Sequence, residues 1–171
     1  MAETSVFEVP GAMVLLRGDH EAIGEAAAHV AGLPMPETRQ ITGGAERALA
    51  WMSPDEILIL AAEGAGPGMA RALGEKLTGV HHLALDVSDM RVRLRVTGPY
   101  VREVLAKLSP ADLAPGALPE GEFRRSRLGQ VPAAFWVSGP DSFDVICFRS
   151  VAGYLRELLE HSAAAGPVGH F

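Results

Sequence analysis

Three glycines, Gly64, Gly66 and Gly68, occupy the place in the chain where a phosphate-binding loop would be expected. Their segment, EGAGPGMARAL, follows an apolar run typical of a strand and opens a helical pattern, and the first amides of a helix bind phosphate. Asp86 ends the next predicted strand about 20 residues later, as a ribose-binding acid would. The spacing is nevertheless Gly-x-Gly-x-Gly and not Gly-x-Gly-x-x-Gly, and Pro67 removes one amide donor. We interpret the segment as a flexible connector, with a nucleotide loop as the alternative.

The other residues that could do chemistry do not form a recognisable site. His81 and His82 are adjacent, and neighbouring strand residues point to opposite faces, so the pair cannot ligate one metal ion without distortion. Asp86 and Asp89 could act as paired carboxylates, although two Asp residues at this spacing between strands are typical of a turn. Cys147 is the single cysteine, which excludes an internal disulfide and a Cys-based zinc site, and its apolar run FDVICF predicts a buried inert thiol. We therefore predict no catalytic residue, no cofactor and no metal in this chain.

Arginines alternate with apolar residues from Arg91 to Thr97. Alternation places Arg91, Arg93 and Arg95 on one face of a strand, with guanidinium groups about 7 Å apart. A row of positive charge in an acidic protein suits either an anion or an acidic partner surface, and the alternative is a solvated face with scattered ion pairs. Arg124, Arg125 and Arg127 are candidates to lie near this row.

The elements that would position these residues recur along the chain. Strand, helix, antiparallel strands and helix are predicted over residues 12–80 and again over 82–161. Gly18 and Gly98 lie 80 residues apart, and Trp51 and Trp136 lie 85 apart. The phrase WMSPDEILIL resembles WVSGPDSFDVIC, and both contain what a hairpin needs, a Pro-Asp turn and apolar flanks. We predict an internally duplicated α+β fold with a pseudo-twofold arrangement, in which the repetition is architectural and not chemical.

Length and composition bound the organisation. The 171 residues suit one compact domain, 1–171, of two similar halves, and residues 162–171 lack periodicity and are expected to be a flexible or partner-docked tail. Hydrophobic residues make up 48% of the chain and charged residues 21%, which favours a partner-covered surface. A net charge of −6 argues against nucleic acid. No apolar run approaches the roughly 20 residues of a membrane span and no signal peptide is evident, so we expect a cytoplasmic protein.

Three segments together resemble the gamma subunit family of heterotetrameric sarcosine oxidase. They are the hairpin WMSPDEILIL, the stretch DVSDMRVRLRVTGPYVREVLAKLSPADL, and the stretch RLGQVPAAFWVSGPDSFDVICFRSVAGYLRELL. The likeness covers roughly residues 14–160. The second stretch is also similar to folate-binding domains of the glycine-cleavage T-protein type, which implies a related fold.

The resemblance implies a noncatalytic subunit of a flavoenzyme. The holoenzyme would oxidise sarcosine to glycine with formation of peroxide and methylene-tetrahydrofolate. FAD, FMN, NAD, tetrahydrofolate and zinc would be held by partner subunits and none by this chain. The expected partners are the alpha, beta and delta subunits, with a homodimer as an option for the isolated chain. The alternative is a free-standing folate- or anion-binding domain that uses Arg91, Arg93 and Arg95.

Overall fold

The structure is a computed structural model that describes residues 4–171, so the first three residues of the predicted domain 1–171 lie outside the described part. Within this part the chain forms ten strands and four helices. The strands are β1 Ser5–Glu8, β2 Ala12–Arg17, β3 Ile41–Gly43, β4 Ala48–Ser53, β5 Glu56–Ala61, β6 Leu83–Asp86, β7 Arg91–Thr97, β8 Phe123–Leu128, β9 Val131–Gly139 and β10 Ser142–Phe148. The helices are α1 His20–Ala31, α2 Gly66–Lys76, α3 Val101–Ala106 and α4 Arg149–Ala164.

The chain divides into two compact units. The first unit is Pro10–Asp89, and its antiparallel sheet has the strand order β3-β4-β5-β2-β6. Helices α1 and α2 pack against one face of this sheet. Their contact forms an apolar core whose fully buried members include Val14, Leu16, Ile23, Ile57, Ile59 and Leu73.

The second unit consists of residues 4–9 and Met90–Phe171. Its antiparallel sheet has the order β1-β7-β10-β9-β8, and α3 and α4 pack against one face. The core there includes Val96, Leu105, Phe135, Phe143, Val145, Leu155 and Leu159. When each sheet is followed from one edge to the other, the order β8-β9-β10-β7-β1 in the second unit matches the order β3-β4-β5-β2-β6 in the first, strand for strand. The predicted internally duplicated α+β fold class is confirmed.

Each unit takes one outer strand from the segment that leads into the other unit. β1 precedes β2 in the chain but pairs with β7, and β6 precedes β7 but pairs with β2. The boundaries of the two units therefore fall at residues 9/10 and 89/90, whereas the predicted halves were 12–80 and 82–161. The organisation as one domain stays a prediction.

Local sequence signals explain most element boundaries. The side chain of Asp19 accepts a hydrogen bond of 3.0 Å from the amide of Glu21 and so caps α1, as Asp at this position commonly does. Gly32 ends α1 with φ of 67°, a left-handed conformation that suits glycine. Two expectations were imprecise: α2 begins at Gly66, inside the predicted glycine connector, and α4 continues to Ala164, three residues into the predicted tail.

The repeated tryptophan phrase marks equivalent hairpins but not equivalent tryptophans. Trp51 precedes its turn proline by three residues and Trp136 precedes its own by four. Trp51 lies opposite Ile57, a helix-facing core residue, whereas Trp136 lies opposite Asp144 on the other face of its sheet. A displacement of one residue along a strand reverses the direction of the side chain. The hairpin is thus the duplicated part, and each tryptophan has its own surroundings.

Candidate functional site

The three arginines of β7 all lie on the same face of the second unit's sheet, as the alternation predicts. Val92, Leu94 and Val96 are at most 2% exposed and belong to the core under α3 and α4. Because strand residues alternate between faces, Arg91, Arg93 and Arg95 extend from the face away from those helices.

Asp144 on β10 binds two of these arginines. It lies directly opposite Arg95 in the strand pairing and is fully buried. Arg93 Nε donates to Asp144 Oδ2 at 2.7 Å and its Nη2 donates to the same oxygen. Arg95 Nε donates to Oδ1 at 2.6 Å and Arg95 Nη2 to Oδ2 at 2.9 Å. These three side chains are called the arginine–aspartate cluster below; two cations share one anion there.

The surroundings of the cluster keep its charges in place. Hydrogen bonding to Asp144 raises the pKa of Arg95 above its ordinary value, so the guanidinium remains charged. Arg93 is 7% exposed, and its guanidinium carbon lies 5.5 Å from the centre of the Trp136 ring, which is a cation–π distance. The cluster is accordingly an internal ion network, and Arg93 is poorly placed to meet a ligand from solution.

Arg91 has a different environment from the other two arginines. It is partly exposed, and its guanidinium carbon lies 5.6 Å from the ring of Phe148, which is 47% exposed. The neighbouring Met90 is 50% exposed. Arginine, aromatic and methionine side chains are enriched at protein interfaces. The contact role predicted for Arg91, Arg93 and Arg95 stays a prediction, and its accessible part is the patch around Arg91.

Sequence reasoning missed Asp144, although a signal for it was present. It is the one charged residue within the apolar run FDVICF, at the strand position that alternates with buried Phe143 and Val145. A buried carboxylate needs a cationic or hydrogen-bonding partner. Arg124, Arg125 and Arg127 are not that partner: β10 and β9 lie between β8 and β7, which separates these arginines from the row by about 14 Å.

The glycine connector and Asp86 do come together, but in a way that disfavours a nucleotide. A Cβ atom placed on Gly66 would lie 2.4 Å from Asp86 Oδ1, so the carboxylate lies against the first turn of α2. Asp86 Oδ1 also accepts hydrogen bonds from the Ser88 amide at 3.1 Å and the Ser88 hydroxyl at 2.5 Å. A phosphate at this helix start would meet a fixed negative charge.

The histidine pair shows turn chemistry. His82 Nδ1 lies 2.8 Å from the carbonyl oxygen of Val80 in an exposed turn. Across residues 4–171, no three His, Cys, Asp or Glu side chains are grouped so that they could hold a metal ion. Burial, with a smaller contribution from the charge of Glu8, raises the pKa of the Cys147 thiol to about 11. The thiol is therefore almost wholly protonated at neutral pH, as an unreactive cysteine is.

A cleft that sequence reasoning did not find lies at the start of α1 in the first unit. It has a volume of about 550 Å³, is open to solvent, and is lined by His20, Glu21, Met35, Pro36, Glu37, Thr38 and Trp51. The His20 ring meets Trp51 edge-on at 6.4 Å between ring centres. His20 Nε2 is buried without a hydrogen-bond partner in the described chain, so it activates no hydroxyl there.

A second buried carboxylate, also missed from sequence, binds backbone. Glu103 on α3 is 2% exposed and accepts hydrogen bonds from four consecutive amides, those of residues 168–171, at 2.5, 2.8, 3.2 and 3.4 Å. Burial alone would raise the pKa of Glu103, but the four amide donors outweigh it and the pKa lies below its ordinary value. Glu103 is therefore an anion at neutral pH and ties residues 168–171 to α3.

The described residues thus define a class of protein: a duplicated α+β chain in which each unit packs two helices against one face of a five-stranded antiparallel sheet. Within residues 4–171, no helix is long and apolar enough to cross a membrane. Residues 17–165 match the model of the sarcosine oxidase gamma subunit family. The chain belongs to that family.

Individual proteins agree with this assignment. The sarcosine oxidase subunit gamma of Arthrobacter sp. is 34% identical over 145 residues, and that of Corynebacterium sp. (strain P-1) is 33% identical over 147. Each alignment covers 84% of this chain and 66% of the relative, so the chain spans just under two thirds of their length.

Solved structures agree as well. The fold matches a chain of heterotetrameric sarcosine oxidase from Corynebacterium sp. U-96, in complex with pyrrole 2-carboxylate, with a TM-score of 0.87, 26% identity, and coverage of 95% of this chain and 84% of that one. It also matches the glycine cleavage system aminomethyltransferase T from Bartonella henselae, with a TM-score of 0.67 and 19% identity over 92% of this chain and 45% of that one. The second match indicates a shared fold, as the sequence resemblance to T-protein domains predicted.

Proposed function

We propose that this chain is a noncatalytic gamma subunit of a heterotetrameric sarcosine oxidase. The observation that carries the proposal is the agreement between a family match over residues 17–165 and a TM-score of 0.87 with a chain of such an enzyme. The holoenzyme would convert sarcosine to glycine, with peroxide and methylene-tetrahydrofolate as the other products. Alpha, beta and delta subunits would be the partners in the cytoplasm, and they would hold FAD, FMN, NAD, tetrahydrofolate and zinc.

The state of the polar clusters supports a noncatalytic role. General acid–base or nucleophilic catalysis needs an accessible group with an activated partner. In the described residues, Asp144 is bound by Arg93 and Arg95, Glu103 is bound by backbone amides, and Cys147 has a raised pKa. Each is committed to the interior of the second unit.

The patch around Arg91 is the part of the predicted arginine row that we propose as a partner contact. Arg91, Phe148 and Met90 combine a cation with two half-exposed apolar side chains. A free-standing folate- or anion-binding domain is less well supported, because Arg93 and Arg95 already bind the carboxylate of Asp144.

The test is co-purification of the tagged full-length chain from its native cells under mild conditions. The expected result is a yellow complex that contains further subunits and forms peroxide when sarcosine is added. Arg91→Ala should lower the yield of complex, while Arg127→Ala, an exposed arginine on β8, should leave it unchanged. A colourless chain that elutes alone or as a homodimer, and that releases heat with tetrahydrofolate in calorimetry, would establish the rival function.

A further inference from the structure

The cleft at the start of α1 combines an apolar wall with negative charge. Trp51, Met35 and Pro36 form the apolar wall, and the carboxylates of Glu21 and Glu37 lie beside it. Both carboxylates are on exposed residues. Across the described residues, 4–171, no ion pair includes either carboxylate, and no Lys or Arg lines the cleft. The negative charge of the cleft is therefore not compensated by the chain itself.

The loop that forms one side of the cleft, residues 34–38, is held in place. The Thr42 hydroxyl donates to the carbonyl oxygen of Pro34 at 2.6 Å. Met35 packs against α1, since a Cβ atom placed on Gly24 would lie 3.6 Å from Met35 Cγ, an ordinary van der Waals contact. The cleft is thus formed before any ligand arrives, which lowers the entropy that binding costs.

The tryptophan of the cleft is fixed but accessible. The Trp51 amide donates to the carbonyl oxygen of Gln40 at 3.0 Å, and its ring meets that of His20 edge-on. Trp51 lies on the helix-facing side of β4 and is nevertheless only partly buried. His20 Nε2 is buried without a partner in the described chain, which suits the uncharged ring, because a charged imidazole donates from both nitrogens. His20 then adds no positive charge to the cleft.

These features select one class of ligand. Two carboxylates repel an anion. A metal ion needs several ligating side chains, and within residues 4–171 no three His, Cys, Asp or Glu are grouped to hold one. A neutral apolar ligand would desolvate the carboxylates without supplying a counter-charge. An organic cation satisfies both the charge and the apolar wall, and tryptophan is the aromatic residue that attracts such cations best.

We propose that the cleft binds a small organic cation that carries an N-methylated ammonium group. The methyl groups lie against Trp51, Met35 and Pro36, and the positive charge lies near Glu21 and Glu37. The volume of about 550 Å³ is within the range of small-molecule sites, about 300–1,000 Å³. All lining residues belong to the first unit, so this binding site goes beyond the proposed function and does not depend on it.

The test is fluorine NMR of the full-length chain, with fluorotryptophan at both tryptophan positions, during titration with tetramethylammonium chloride. The Trp51 signal, assigned with Trp51→Phe, should shift with a Kd on the order of 1 mM. Trp136 is 5% exposed and lies in the second unit, so its signal should stay constant and serves as the internal control. Sodium chloride lacks the methyl groups and tert-butanol lacks the charge, so neither should shift the Trp51 signal at equal concentration.

Carboxylate variants separate the contribution of charge from that of shape. The double variant Glu21→Gln/Glu37→Gln should raise the Kd about fivefold, because two exposed charge pairs are lost. Glu25→Gln removes an exposed carboxylate one helical turn further along α1, outside the cleft, and should change the Kd by less than about twofold. All three substitutions are at exposed positions, so the fold is retained and any change reports on binding.

Three results would overturn the inference. One is a Trp51 signal that does not move up to about 50 mM tetramethylammonium, well above the expected Kd. Another is an equal shift with tert-butanol, which would define an apolar site without charge recognition. The third is an unchanged Kd in the Glu21→Gln/Glu37→Gln variant. Each of them leaves the proposed oxidase subunit function to its own test by co-purification.

Discussion

The two units place opposite chemistry at the same positions of the same sheet. In the first unit, Leu15 lies directly opposite Leu58; in the second, Arg95 lies directly opposite Asp144. Met13 occupies the position that corresponds to Arg93. Meanwhile the helix-facing positions between them are apolar in both units. The helix-facing side of the repeat is thus apolar in both units, whereas the opposite side of this strand pair is apolar in the first unit and ionic in the second.

This difference indicates what the arginine–aspartate cluster is for. An apolar version of the same strand pair exists in the first unit, so the fold does not need an ion network at this place. Replacing buried ion networks with apolar residues is often neutral or stabilising in other proteins. We therefore propose that the cluster shapes the face that carries Arg91 and adds little net stability to the sheet.

The largest expected effect comes from breaking the cluster at its anion. Asp144→Asn leaves two guanidinium groups without a counter-charge, one of them 8% exposed and the other 22% exposed. We expect the free energy of unfolding to fall by about 3 kcal/mol, at the lower end of the range for breaking a buried pair, because water reaches Arg95. Urea denaturation measures this. Asp141→Asn, in the exposed turn of the same hairpin, is the matched control and should change stability by less than about 0.5 kcal/mol.

Converting the second unit to the chemistry of the first should reverse that loss. The triple variant Arg93→Met, Arg95→Leu and Asp144→Leu is expected to be as stable as wild type or about 1 kcal/mol more stable. The same urea titration checks this, and co-purification with partner subunits should fall if the cluster shapes the contact face. A triple variant as unstable as Asp144→Asn would mean that the apolar solution of the first unit does not transfer.

A smaller effect on stability is expected from substitution of Cys147. This residue holds the position in the second unit's sheet that Ala61 holds in the first. Cys147→Ala should lower stability by about 1 kcal/mol, the value of one buried heavy-atom group. With its pKa raised to about 11, the native thiol should react with iodoacetamide at pH 8 at least about a hundredfold more slowly than the unfolded thiol, whose pKa is about 8.5. Rapid alkylation of the folded chain would show that the thiol is accessible.

The raised thiol pKa also sets a direction with pH. The folded state keeps its proton more tightly than the unfolded state, so the contribution of Cys147 is complete below about pH 8.5 and is lost as pH rises towards about 11. The loss of stability over this range should be shallower in Cys147→Ala than in wild type. Parallel curves would show that other groups account for the alkaline dependence.

The parts of the fold that sequence could predict are those with local causes. The Asp19 cap, the Gly32 stop and the strict alternation of β7 are each readable within a few residues. The duplication was readable because the elements recur in order. The two tryptophans were not equivalent, although the sequence phrases around them are similar. The second phrase has one additional residue before its turn, Gly139, and a shift of one residue reverses the direction of a strand side chain.

The parts that sequence could not predict depend on distant partners. β1 has four residues and pairs with residues about 90 positions later, and β3 has only three residues. Asp144 is bound by arginines that lie 49 and 51 positions away in the sequence, and Glu103 is bound by amides that lie 65 to 68 positions away. Both carboxylates lie within the segments that resemble the family, but the groups that bind them are distant in sequence, so only the pairing of strands and the return of the chain past α3 reveal their partners.

The smallest stability effects are expected on the outer strands, where the two units agree. Phe7 on β1 and Leu85 on β6 hold corresponding positions, opposite Arg95 and Leu15, and each is 43% exposed. Phe7→Ser and Leu85→Ser should each change the free energy of unfolding by less than about 0.5 kcal/mol, as exposed substitutions usually do. Val6→Ser, one position earlier on β1 and facing the core, should cost about 2 kcal/mol and serves as the control.

The same variants distinguish a solvent-facing residue from a partner-facing one. If either position contacts another subunit, its substitution should reduce incorporation into the complex while leaving urea stability of the isolated chain unchanged. Phe7 lies beside a cation and Leu85 beside an apolar residue, so a partner that covers the charged face should respond to Phe7→Ser and not to Leu85→Ser. Equal responses at both positions would show that the difference in chemistry between the two units does not extend to their outer strands.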